Sequence, residues 1–197
     1  MKNIKVKICG IRSLGAAQSA IDFGADYVGF NFVASSKRYI DPKSAQGIAK
    51  LIKGNVRIVG VFQNEKPQTV RRIADMMDLD LVQLHGDEDE VYMQKINRPI
   101  IKSTSVRNMR EYFSSDFLLI DRETQGIGNI VDLDKARGLA ERYVVFFAGG
   151  LTPENVKDVV KKVRPFAVDV AGGIETNGRE DVRKIKKFIK NAKGAHL

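Results

Sequence analysis

The sequence predicts a single α/β domain over residues 1–197, folded as a (β/α)₈ TIM barrel. Three observations carry this. Short β-rich runs alternate with helix-like segments along all 197 residues, with no long linker or low-complexity stretch between them. Most of these runs are continuously apolar, as strands covered on both faces should be. No Gly-x-Gly-x-x-Gly element follows the first run, which argues against an open dinucleotide-binding sheet. The chain is short for a barrel, whose usual size is about 250 residues.

Taken in order, the expected strands are Lys5–Cys9, Tyr27–Phe32, Arg57–Phe62, Leu81–Leu84, Ile100–Ser103, Phe117–Asp121, Val144–Phe147 and Ala167–Val170. A helix runs through Ala17, Ala20 and Ile21, with Gly24 as its C-terminal stop. Asp41-Pro42 and Thr152-Pro153 each offer an N-cap followed by a proline suited to the first helical position. The fifth unit is the weakest, because its helix around Asn108–Phe113 is short. The last helix carries Val182, Ile185, Phe188, Ile189 and Ala192 at helical spacing, with lysines on the opposite face.

Composition narrows the function. The formal charge is +9, and much of the excess lies in that last third. Those lysines sit on the solvated face of an amphipathic helix and lack the interleaved aromatics of a base-stacking platform, so no nucleic-acid partner is expected. No apolar run approaches the ~18 residues that span a bilayer, so no membrane partner is expected either. One cysteine and a charged N-terminus without an export signal predict a reducing, cytoplasmic location.

A barrel gathers its active site at the C-terminal ends of its strands. That ring of candidates holds Cys9, Asn31/Phe32, Asn64, His85, Ser103, Asp121, Ala148-Gly149-Gly150 and Ala171-Gly172-Gly173. Cys9 is the only cysteine in the chain. From position alone it is either a small buried hydrophobe or a reactive thiol. Asp121 closes the apolar run Phe117-Leu118-Leu119-Ile120 and is either a general acid or a solvated partner of Arg122. Arg38, in the loop after the second strand, offers a planar fork that matches a carboxylate. His85 ends the fourth strand; the other histidine is His196, in the tail. A lone histidine without ligands at metal spacing argues against a metal site. The glycine pairs Gly149-Gly150 and Gly172-Gly173 follow the seventh and eighth strands, where barrels of this kind bind phosphate through bare backbone N–H groups.

The motifs then become recognisable as an ordered set. Lys7-Ile8-Cys9-Gly10-Ile11, Gly24-Ala25-Asp26-Tyr27-Val28-Gly29-Phe30, Ser36-Lys37-Arg38-Tyr39-Ile40 and Val59-Gly60-Val61-Phe62 are followed by Val82-Gln83-Leu84-His85-Gly86. Gly149-Gly150-Leu151-Thr152-Pro153-Glu154-Asn155-Val156 and Val168-Asp169-Val170 complete it. Over essentially its whole length the chain resembles the phosphoribosylanthranilate isomerase family of tryptophan biosynthesis. The resemblance implies a cofactor-free Amadori rearrangement, the third step from chorismate, that turns N-(5-phosphoribosyl)anthranilate into 1-(2-carboxyphenylamino)-1-deoxyribulose 5-phosphate. It implies Cys9 as general base, Asp121 as general acid and Arg38 as the partner of the anthranilate carboxylate. His85, Asp169, Gly149, Gly150, Gly172 and Gly173 join Arg38 as expected substrate-binding residues, and the partner is a small phosphosugar. A monomer and a homodimer both fit.

For Cys9 to act as a base, its thiol, ordinarily near pKa 8.5, must either be depressed by its surroundings or work from a minor thiolate population. Two departures from the family pattern stand out. The loop after the sixth strand reads Gln125-Gly126-Ile127-Gly128-Asn129-Ile130-Val131, without the family's lysine and aromatic. After the eighth strand Ala171-Gly172-Gly173 replaces Ser-Ser-Gly, removing hydroxyl donors but keeping N–H groups. Rival readings are a histidine-biosynthesis isomerase, disfavoured because the first strand ends in Cys rather than Asp, and a non-catalytic barrel that binds phosphorylated ligands.

Overall fold

The computed structural model describes residues 4–106, 115–121 and 132–195. Eight parallel strands close into a barrel in sequential order, β1 pairing with β8. They are β1 (Lys5–Cys9), β2 (Tyr27–Asn31), β3 (Arg57–Phe62), β4 (Leu81–Leu84), β5 (Ile100–Thr104), β6 (Phe117–Ile120), β7 (Val145–Phe147) and β8 (Ala167–Val170). The predicted strands are thus found within one residue at every end. The expected fifth helix, Arg122, the Gln125–Val131 loop and His196 lie outside the described residues.

Between the strands run α1 (Leu14–Asp22), α2 (Pro42–Ile52), α3 (Pro67–Met77), α4 (Glu90–Met93), α5 (Leu133–Arg142), α6 (Val156–Val163) and α7 (Val182–Lys193). The Asp41 side chain caps α2 by accepting from the N–H groups of Lys43 and Ser44, with Pro42 opening the helix as the sequence indicates. Gly24 follows α1 with φ +90°, a conformation open to glycine. The start of α6 differs from expectation. Thr152 and Pro153 form a turn first, because Asn155 Oδ1 accepts from Thr152 N and Thr152 Oγ1 from Glu154 N; the helix begins at Val156. On α7, Ile185, Phe188, Ile189 and Ala192 are buried, but Val182 in the first turn is exposed.

Alternation along the strands sorts the core into two clusters. Val6, Ile8, Val28, Phe30, Ile58, Val82, Leu84, Leu118, Ile120, Val168 and Val170 pack with the helices. Tyr27, Val59, Leu81, Ile101, Leu119, Phe146 and Ala167 form the second, inside the barrel. By the same period of two, Lys7, Gln83 and Asp169 belong to the interior set. In the β1–β8 register Lys7 lies directly opposite Asp169.

A two-stranded hairpin, β9 (Glu175–Thr176) and β10 (Arg179–Glu180), extends from the β8 end after a short 3₁₀ turn at Gly172–Ile174. It turns on Asn177 and Gly178, both at positive φ, as a tight Asn-Gly hairpin requires.

Candidate active site

At the floor of the site a buried lysine occupies the barrel axis. Lys7 is fully buried, and its ammonium donates to Asp169 Oδ1 at 3.0 Å and to Gln83 Oε1 at 2.9 Å. Cys9 is a second neighbour whose charge acts on it, after Asp169. Burial alone would lower its pKa; Asp169, with help from Cys9, outweighs burial and raises it. Lys7 is therefore a fixed positive charge beneath the mouth.

Cys9 stands one layer higher, at the end of β1. Burial pushes its thiol pKa up. Lys7 pulls it down, Asp169 pushes it up and Arg38 pulls it down, and the net direction is upward. A cation is close by, but burial prevails, and the thiolate is the minor form at neutral pH. Gly29 on β2 is the register partner of Cys9. A Cβ there would lie 2.9 Å from Cys9 Sγ and 3.3 Å from Lys7 Cε, so only glycine leaves room for the thiol.

From Lys7 the network crosses the barrel. Gln83 Nε2 lies 3.1 Å from His85 Nδ1, and His85 Nε2 lies 3.6 Å from Asp121 Oδ2. Burial lowers the His85 pKa; Asp121 and Asp169 oppose this and Lys7 and Lys102 reinforce it. The imidazole is thus neutral at pH 7. Asp121 is about one quarter exposed, at the mouth rather than in the packed interior.

Arg38 arches over the opposite rim. Its stem lies against Gly10, which has φ +79° and where a Cβ would come within 2.6 Å of Arg38 Cδ. Its guanidinium is held bidentately by Glu175, Nε to Oε1 at 2.7 Å and Nη2 to Oε2 at 2.8 Å. Nearby, Arg12 donates to Lys37 O, Gly178 O and Glu180, binding the loops after β1 and β2 to the hairpin. Gly149 and Gly150 both have positive φ, and a Cβ on Gly173 would overlap the Leu151 carbonyl, so the loops after β7 and β8 touch backbone to backbone.

The structure therefore brings Cys9, Asp121, His85, Asp169 and Arg38 to one mouth, with the two glycine pairs on its β7–β8 side. Two ring candidates bind loops instead, Asn31 its own and Asn64 the neighbouring loop after β4. Asn31 bonds to Ser36 and Val33, and Asn64 to Asp87. Sequence reasoning missed Lys7, Gln83 and Glu175. The alternation Lys5-Val6-Lys7-Ile8-Cys9 could have placed Lys7 inside, and Asn177-Gly178 could have marked the hairpin that carries Glu175.

A closed eight-stranded parallel barrel with ionisable groups gathered at its C-terminal mouth defines a (β/α)₈-barrel enzyme. A family model described as N-(5′-phosphoribosyl)anthranilate (PRA) isomerase matches residues 6–191, and the chain belongs to that family. The N-(5′-phosphoribosyl)anthranilate isomerase of Streptococcus mutans is 40% identical over 191 residues, covering 96% of this chain and 98% of its own. Phosphoribosylanthranilate isomerase of Thermotoga maritima superposes with a TM-score of 0.88 at 38% identity, covering 97% of this chain and 99% of that one. A phosphoribosylanthranilate isomerase solved with reduced 1-(o-carboxyphenylamino)-1-deoxyribulose 5-phosphate has a TM-score of 0.84 at 37% identity, with the same coverage.

Proposed function

We propose that this chain catalyses the Amadori rearrangement of N-(5-phosphoribosyl)anthranilate to 1-(2-carboxyphenylamino)-1-deoxyribulose 5-phosphate, the third step from chorismate in tryptophan biosynthesis. The observation that carries the reading is the pairing of a thiol and a carboxyl at one barrel mouth, Cys9 beside the Lys7 ammonium and Asp121 beside His85.

Asp121 donates a proton to the furanose ring oxygen as the anilino nitrogen lone pair opens the ring, giving a protonated Schiff base. Cys9, as thiolate, removes the C2′ proton, and the electron pair forms the C1′–C2′ double bond and neutralises the nitrogen. The enolamine then gains a proton at C1′ and loses the C2′ hydroxyl proton to give the ketone. The Schiff-base cation forms next to Cys9 and, with Lys7, favours the thiolate at the moment it is needed. Arg38 meets the anthranilate carboxylate with the part of its guanidinium that Glu175 leaves open, and the backbone at Gly149-Gly150 and Gly172-Gly173 receives the phosphate. His85 and Asp169 line the substrate's path between these two anchors. The reaction needs no cofactor, and a cytoplasmic location suits its reduced thiol.

The test is a fluorescence assay on freshly generated phosphoribosylanthranilate, with Cys9→Ser and Asp121→Asn beside the unaltered chain. The unaltered chain consumes the substrate, and each variant loses about 10²–10⁴-fold in rate. A chain that binds the reduced product analogue but turns nothing over would be a binding barrel, and the proposal would fall.

A further inference from the structure

The centre of the hydrogen-bond chain is an amide whose orientation is forced. Lys7 offers only donors, so Gln83 must face it with Oε1, as the 2.9 Å contact has it. Its Nε2 then donates to His85 Nδ1 at 3.1 Å, which makes Nδ1 a lone pair. A neutral imidazole so held carries its proton on Nε2, the atom 3.6 Å from Asp121 Oδ2. Gln83 is 2% exposed and Lys7 fully buried, so water does not compete for these bonds.

We propose that Gln83 is a positioning residue that locks His85 in its Nε2–H tautomer, so that the imidazole presents a donor, never a lone pair, to Asp121. This rests on the acid role of Asp121 proposed above. When Asp121 releases its proton to the substrate, negative charge builds on its carboxylate, and an N–H beside Oδ2 stabilises that charge. The opposite tautomer would set a lone pair against it and would compete for the proton Asp121 has to deliver. The chain Lys7–Gln83–His85–Asp121 thus ties the charge under the base to the donor beside the acid. His85 takes no proton in this scheme.

The test reads the tautomer and the chemistry separately. The chain has two histidines, so imidazole nitrogen NMR on a His196→Asn background reports His85 alone. The proton is expected on Nε2. Gln83→Glu keeps a partner for Lys7 but offers His85 an acceptor, which draws a proton to Nδ1; kcat is expected to fall about 10²-fold with KM little changed. A His85 protonated on Nδ1 in the unaltered protein overturns the proposal. So does Gln83→Glu with the proton moved from Nε2 to Nδ1 and an undiminished kcat. The first measurement needs no variant at position 83, so the tautomer is decided even if Gln83→Glu does not fold. An unaltered chain inert towards phosphoribosylanthranilate would instead sink the proposed activity, and the NMR result would stand apart from it.

Discussion

Single residues at the mouth owe their roles to neighbours that leave them no alternative. Cys9 is a poor thiolate because it is buried, and the nearby Lys7 and Arg38 draw its pKa back down without overcoming that burial. Gly29 matters because the space a Cβ would need is already filled by Cys9 Sγ. Gly29→Ala should therefore displace the thiol by a few tenths of an ångström to an ångström. Misplacement on that scale costs on the order of 10²-fold in rate. A kcat within twofold or so of the unaltered enzyme, in a variant that melts normally, would mean that the thiol has slack this geometry denies it.

At the scale of elements, the mouth is built by loops that grip one another. The hairpin β9–β10 delivers Glu175 to Arg38 and Glu180 to Arg12, and so ties the end of β8 to the loops after β1 and β2. On the adjoining side, Gly173 lets the loop after β8 touch the Leu151 backbone. Gly173→Ala should push these two loops apart, since the atom it would strike is backbone and cannot swing away. Steady-state kinetics should register this chiefly as a raised KM, about tenfold for one weakened phosphate contact at 1.4 kcal/mol per decade. Loss confined to kcat would place the phosphate elsewhere. Exposed pairs such as Lys187–Glu154, by contrast, should matter little to stability.

For the whole molecule, the interior charges set a pH dependence. Cys9 has a raised pKa in the folded state, so the unfolded chain loses its thiol proton first as pH rises. That contribution to stability is complete below the unfolded thiol's pKa, about 8.5, and is lost as pH climbs towards the folded value. Lys7, also raised, adds a loss of the same sign at higher pH. Urea titrations across the alkaline range should show stability declining, with a shallower decline in Cys9→Ala. An identical slope in that variant would assign the decline to other groups. A second buried ion pair, Lys102 with Glu88, each side chain 1% exposed, pins the loop after β4 from the opposite wall. There Glu88 also accepts from the N–H groups of Asn64 and Gly86.

The order and bounds of strands and helices were legible along the chain, because periodicity, caps and turns are local properties that a linear reading captures. It also delivered Cys9, Asp121, Arg38 and His85 as candidates, since strand ends in this fold point to one mouth. Which partners each would have depends on the folded barrel. Lys7 and Asp169 are 162 positions apart, and Arg38 and Glu175 are 137 apart. Their pairing arises from closure of β1 onto β8, which no local pattern encodes. Whether Cys9 rests as thiol or thiolate, and which nitrogen of His85 carries a proton, follow from that closure, because burial and the direction of each hydrogen bond exist only once the barrel is shut.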